Sequence, residues 1–389
     1  MTTTPGEAYL LLGLRLGRHV DGLVDSYYGP PELKERVDTE PLVEPAQLVT
    51  DGEALLAAVD DGWLRDQALG LRTYAGKLAG EEISYSDEVE RCYGVRPELN
   101  GTEVYAAAHE RLDELLPGEG ELTERYQAWR RAATVPPELV VPLVQEAVEE
   151  LREVTAKLVD LPEGEGLVVE GVRDEPWWAF NYYLGGLRSR VVVNLDVPTT
   201  CRECIHLAGH EVYPGHHTEH ALKERLLVHE QGKVEEAIQL VPTPSALVGE
   251  GIAESGPDLV TDDELRGRLV AAAQRHGVDY DAELAEAIAQ ARRALRPVSL
   301  DAALMIHEDG ASVEDAEAYV RRWSLVSPED AAHSVRFVVD PTWRAYVVNY
   351  SAGRALCEAW VGGDPGRFSR LLTEQVRVGE LLEAHSDGH

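Results

Sequence analysis

The chain has 389 residues, 44% of them hydrophobic, which is ample for a sizeable core, and its 70 acidic against 36 basic residues give a formal net charge of −34. A surface this acidic repels nucleic acid and anionic membranes and excludes both as partners. No segment reaches the roughly 18 consecutive apolar residues of a membrane helix, the N-terminus lacks the basic-then-apolar order of a signal peptide, and four scattered cysteines form no disulfide framework; a cytoplasmic location is expected.

Helical periodicity runs through most of the chain. Amphipathic stretches cover Ala46 to Val59 and Val104 to Leu116, and Val144, Val148, Leu151 and Leu158 fall on one helical face. Between Glu163 and Thr199 the composition changes to aromatic and β-branched residues interrupted by Gly185-Gly186, which predicts a small sheet with a hairpin turning at the two glycines. Its last strand, Ser189 to Leu195, leads into a histidine-rich segment. Cys201 and Cys204 at the start of that segment form an isolated CxxC, read as two small residues packed near a helix start. Further on, Leu284, Ile288, Ala291 and Leu295 form another stripe ended by Pro297, and helices are predicted over Asp315–Trp323 and Thr342–Trp360. The fold is therefore expected to be mostly α, with an N-terminal helical part (1–160) and a second part (161–389) carrying the sheet and the site, the two forming one continuous globular unit.

The chemistry concentrates in HLAGHEVYPGHHTEH, His206 to His220, with five histidines in fifteen residues where the entire chain has 13. A helix holds catalytic zinc with HExxH because two histidines at i and i+4 share a face and the glutamate between them is aimed at the metal's water. Here the i+4 position is Pro214. Pro214 and Gly215 would break or bulge the helix, so that His216 takes the place of the second histidine; His217 would align only if the helix ran straight through. His206 with His210 and His216 with His220 are also spaced i, i+4, but neither pair encloses a glutamate. About thirty residues later, in LVGEGIAESGPDL, Glu250 and Glu254 sit one turn apart among small apolar residues, where two carboxylates need partners. Glu250 is a candidate third metal ligand and Glu254 a candidate acceptor for the second ring N–H of a ligand histidine.

The pattern HExxPGH followed by EGxA resembles the bacterial domain-of-unknown-function 885 family, helical proteins similar in turn to gluzincin-type zinc metallopeptidases. The resemblance extends to EPWWAFNYYLGGLRSRVVVNLD before the motif, LMIHEDG at Leu304 to Gly310 and DPTWRAYVVNYSAGR at Asp340 to Arg354, and covers the residues before about 150 only loosely. It implies a helical zincin-like body, Zn²⁺ as cofactor, His210, His216 and Glu250 as ligands and Glu211 as the general base. The chain departs from it at Glu219, often Gln in the family, and at Ile252, often Trp, so substrate contacts are expected to differ there. Tyr350 is a candidate oxyanion donor, the alternative being a core tyrosine; Arg354, one turn later, is a candidate clamp for a substrate carboxylate, the alternative being an ion pair with one of the many acids; and His307 reads as structural or as a second donor beside the zinc. The expected function is a zinc-dependent peptidase on short peptides. The rivals are a zinc amidase acting on a non-peptide substrate and a non-catalytic metal-binding or scaffold protein; keeping Glu211 beside the ligands speaks against the latter.

Overall fold

A computed structural model describes residues 3–175 and 177–386; Pro176 of the EPWW segment lies outside the described residues. The fold is mostly α. Helices begin where the sequence supplies caps. Thr4 and Glu7 form a reciprocal capping box on Pro5–Gly17, and Thr200 and Glu203 form another on Cys201–Glu211. The expected helices occur at Pro45–Ala58, Thr102–Leu115, Pro137–Leu158, Ala282–Arg293 and Val313–Ser324. Among the described residues no helix is long and apolar enough to cross a membrane.

The expected hairpin is present and belongs to a larger sheet. Strands β1 (Val24–Tyr27), β2 (Gly166–Val172), β3 (Ala179–Gly185), β4 (Arg188–Asn194) and β5 (Ile238–Leu240) form two sheets, β1-β5 and β2-β4-β3. The β3–β4 hairpin turns through Gly185, Gly186 and Leu187, all at positive φ. Glu224 closes this turn, accepting hydrogen bonds from Gly186 N at 2.9 Å, Leu187 N at 3.1 Å and the Tyr183 hydroxyl. β2 pairs parallel to β4, and the antiparallel β1–β5 ladder joins residues more than two hundred positions apart.

Three apolar clusters fill the interior, and each draws residues from both sides of position 160. One packs Leu10, Leu12 and Leu71 against Ile238 and Leu240. A second packs Val144, Val148 and Leu151 against Val191, Cys201, Cys204 and Leu207, so both cysteines of the CxxC are buried free thiols at a helix start. The third surrounds the helix Pro244–Val260 and takes in Ile252.

The segment expected as one helix over Thr342–Trp360 is different. Residues 341–347 form turns, Asn349–Gly353 a π-helix, and only Arg354–Val361 is α-helical. The cause lies in close packing. A Cβ on Gly353 would stand 2.5 Å from Leu247 O, and one on Gly251 would stand 2.4 Å from Gly353 O. Backbone meets backbone there, and only glycine permits it. Tyr350 lies in this π-helix, and the charges of Glu250 and Glu254 on the helix Pro244–Val260 act on its hydroxyl.

Candidate metal centre

The interrupted motif resolves into two helices. Cys201–Glu211 ends at Val212, whose φ of −125° and ψ of −84° leave the helical region, and His216–Lys223 begins after Gly215. A Cβ on Gly215 would lie 1.8 Å from His210 O, so the chain can double back this tightly only with glycine. β3 fixes the end of the first helix through Asn181 Nδ2, which donates to Glu211 O at 2.5 Å.

This break brings His210 and His216 together, with ring centroids 4.8 Å apart at 85°. From the facing helix Pro244–Val260, Glu250 presents Oε2 at 3.7 Å from His210 Nε2 and Oε1 at 3.9 Å from His216 Nε2. One ligand atom from each of the three lies within 4.8 Å of the others. Bonds of 2.0–2.2 Å to a tetrahedral zinc place ligand atoms roughly 3.3–3.6 Å from one another, so the set needs little adjustment. Burial holds His210 at about 4 and His216 at about 3, well below their ordinary value, which keeps both imidazoles neutral and able to bind metal at neutral pH.

The carboxylates are short of positive charge. Glu250 is 6% exposed and its Oε2 has no hydrogen-bond partner among the described residues. Burial, assisted by the charges of Glu254, Asp25 and Glu219, raises it to about 8 despite a hydrogen bond from the Tyr346 hydroxyl at 2.8 Å. Glu211, 9% exposed, is raised to about 8 by burial and by the charges of Glu250, Asp25 and Glu254. Two buried carboxylates with no lysine or arginine paired to them among the described residues are costly unless something positive joins them. A divalent ion held by His210, His216 and Glu250 meets that need, and the residues present fit it.

A second group, His206, His210 and Glu254, also lies within 4.8 Å. It suits a cation less well, because Glu254 already pairs with Arg296, and Arg354 stands 3.9 Å away. Burial alone would raise Glu254, but His206, Arg296 and His210 hold it at about 2. Glu254 faces His210 Nδ1 at 3.7 Å, longer than a hydrogen bond, and that nitrogen has no hydrogen-bond partner among the described residues.

The remaining candidates separate clearly. Tyr350 is 39% exposed, and the surrounding protein and the charges of Glu250, Glu211, Glu254 and Asp25 raise its hydroxyl far above its usual value. Arg354 is not free for a substrate. It is buried, donates to Glu254 O at 2.6 Å and pairs with Asp258 at 2.5 Å and with Glu358. In so acidic a chain its guanidinium is satisfied internally. His307 is not beside the centre either. Its ring stacks on Tyr85 at 5.0 Å and its Nε2 bonds Val338 O at 2.7 Å, and its neighbours are Arg344, Glu88 and Glu308. Glu219 forms a buried pair with Lys223 at 2.6 Å.

Two contributors had gone unnoticed in the sequence. Tyr346, which holds Glu250, lies four residues before Tyr350 inside the DPTWRAYVVNYSAGR segment, so the spacing carried a signal. Asp25, whose charge reaches Glu211 and Glu250, comes from β1 and carried none. No family model matches the chain, and no curated protein does. A solved structure, described as "a putative lipoprotein of unknown function from Shewanella oneidensis", is similar at 14% identity and a TM-score of 0.49, covering 98% of this chain and 73% of that one.

Proposed function

We propose that the protein is a zinc-dependent hydrolase that cleaves short peptides, with His210, His216 and Glu250 holding the metal. The observation that carries this reading is the orphaned Oε2 of a nine-tenths buried Glu250 facing two neutral imidazoles. Bound there, zinc supplies Lewis-acid polarisation of a carbonyl and of water. Glu211 accepts a proton from the attacking water and returns it to the leaving amine, and a carboxyl whose surroundings raise its pKa is suited to both tasks. Tyr350 donates its hydroxyl to the carbonyl oxygen as negative charge develops on it. Tyr346 orients Glu250, and Asn181 holds the helix end that carries Glu211. The Gly251–Gly353 contact offers a physical reason for the paired EGxA and Tyr-x-x-Gly motifs on which the likeness to the domain-of-unknown-function 885 family rests. We place the enzyme in the cytoplasm, where four buried free thiols would stay reduced.

The test is Glu211→Gln, which keeps the size of the side chain and cannot take up a proton. A mixed library of short peptides read by mass spectrometry supplies the substrate. The variant should keep its zinc and lose hydrolysis by about 10²–10⁴-fold, the range of general-base catalysis. Full activity in the variant, or an unchanged library with the zinc-loaded wild type, would contradict the reading.

A further inference from the structure

A cavity of about 190 Å³ lies where the helix Cys201–Glu211 meets Pro244–Val260, Asp263–Arg275 and Ala282–Arg293. It exceeds the roughly 150 Å³ that accommodates a benzene ring, so it has room for an amino-acid side chain. Its lining joins it to the metal ligands. Arg202 and His206, one turn apart on the first of these helices, both line it, and His210 follows one turn later. The His206 and His210 rings are 5.8 Å apart, and Glu254 stands near both, 3.9 Å from His206 Nε2 and 3.7 Å from His210 Nδ1.

The cavity is an exception in a chain of net charge −34. Arg202, Arg266 and Arg293 line it against two carboxylates, Asp258 and Glu286. Both carboxylates are shared. Asp258 pairs with Arg293 at 2.6 Å and with Arg354 at 2.5 Å, and Glu286 pairs with Arg202 at 3.2 Å and with Arg293 at 3.5 Å. Arg202 uses only Nε and Arg293 only Nη2 in these contacts, so the rest of each guanidinium fork has no partner among the described residues. Arg266 pairs with Asp263, which is fully exposed. Tyr280 adds a hydroxyl that has no hydrogen-bond partner among the described residues, and burial raises it well above its usual value, so it stays a neutral donor. Guanidinium forks beside a hydroxyl donor suit a carboxylate. The charge of the whole chain repels an anion from afar, but that repulsion is screened beyond about 8 Å at physiological ionic strength, and inside the cavity the arginines are nearest.

A helix rises about 1.5 Å per residue, which sets His206 about 6 Å and Arg202 about 12 Å along the axis from His210. An extended peptide advances about 3.3–3.6 Å per residue, so a side chain two or three residues from a bond held at the metal reaches this stretch. We propose that the cavity receives a carboxylate of the substrate, with Arg202 as the residue that sets the preference, so that the enzyme selects peptides with an acidic side chain or a free carboxyl end two or three residues from the cleaved bond. The inference rests on the peptidase reading, and the experiment separates the two. Three acetylated seven-residue peptides of alanine and serine are compared: an amide with glutamine at its centre, the same amide with glutamate there, and the glutamine peptide with a free carboxyl end. Their binding is measured by calorimetry on zinc-loaded Glu211→Gln protein, which holds them uncleaved, with and without Arg202→Gln or Tyr280→Phe. At least one of the charged peptides should bind about 10- to 100-fold more tightly than the neutral one, as expected for hydrogen bonds between charged groups. A gain for the glutamate peptide assigns a side chain, and a gain for the free carboxyl end assigns the end of the chain. Arg202→Gln should erase the gain and Tyr280→Phe should reduce it by about 3- to 10-fold, both leaving the neutral peptide unchanged. Equal binding of the three, binding of none, or a gain that survives Arg202→Gln overturns the proposal; where Arg202→Gln does not fold, an undiminished gain in Tyr280→Phe does so. Wild type that binds with this preference but cleaves none of the three would remove the peptidase reading and leave carboxylate recognition standing. Cleavage of all three with equal kcat/KM would do the reverse.

Discussion

His216 and His217 are neighbours in the chain and opposites in their surroundings. His217 is fully buried and satisfied at both ring nitrogens, Nδ1 by Ser189 Oγ at 2.8 Å and Nε2 by Glu165 Oε2 at 2.9 Å, and Glu165 is held in turn by the Tyr213 hydroxyl at 2.5 Å and by Arg152 at 2.6 Å. On the other side of the same short helix, His216 faces His210 and Glu250 at distances too long for hydrogen bonds and right for a shared ion. The two regions have similar residue types, with the pair His217–Glu165 sealed from solvent and His210, His216 and Glu250 slightly exposed. They differ in whether their polar groups satisfy one another. A protein that pairs one set so thoroughly leaves the other open only where something from outside completes it, which is why buried unsatisfied groups point to ligands.

Breaking the satisfied side should cost stability and leave metal binding intact. His217→Ala removes a donor from buried Glu165 and is expected to destabilise the fold by about 3 kcal/mol, the lower end for a broken buried pair because Arg152 and Tyr213 remain, as measured by denaturant unfolding. Burial alone would raise Glu165, but its hydrogen bonds from His217, Tyr213 and Arg152 hold it at about 2. A carboxyl lowered on folding adds stability above its unfolded value near 4.5, and that contribution is lost as pH falls through its folded value. The difference in Tm between wild type and Glu165→Gln should therefore shrink from about pH 4.5 toward pH 2. A constant difference across that window would show that Glu165 is not held in this way.

Breaking the open side should do the reverse and leave the fold stable. Tyr350→Phe is expected to lower turnover by about 10²–10³ with little change in ground-state binding, the cost of one oxyanion donor. Full turnover would make the residue a packing tyrosine. Tyr346→Phe removes the hydrogen bond that orients Glu250 and should weaken zinc affinity by about 10- to 100-fold in a competition titration with a chelator, the range for a group that positions a ligand. Equal loss of stability in these variants and in His217→Ala would erase the distinction between the two sides.

The contrast also explains what could be read from the sequence. His210, His216 and Glu250 were legible because local rules set their placement. Pro214-Gly215 has to interrupt a helix, and Glu250 and Glu254 share a face at i, i+4. The helices and the Gly185-Gly186 turn were legible for the same reason. What was hidden depends on distant partners. Glu165 and His217 are 52 positions apart, β2 pairs with β4 in parallel, and Asp25, whose charge bears on Glu211 and Glu250, lies in a strand whose partner β5 is more than two hundred positions away. For Arg354 the spacing gives the helical face and leaves open a substrate clamp or an ion pair with one of many acids; the structure shows the ion pairs, with Asp258 and Glu358. His307, open in the sequence to a structural or a donor role, is structural, and its stacking partner, Tyr85, comes from the N-terminal part.

Metal content tests the central claim most directly, measured by elemental analysis on wild type, His216→Ala and His217→Ala purified without added metal and again after zinc is supplied and the excess removed. The account predicts about one zinc per chain in wild type and in His217→Ala, and none retained by His216→Ala. No transition metal in wild type even after zinc is supplied, or zinc kept by His216→Ala and lost by His217→Ala, would contradict it.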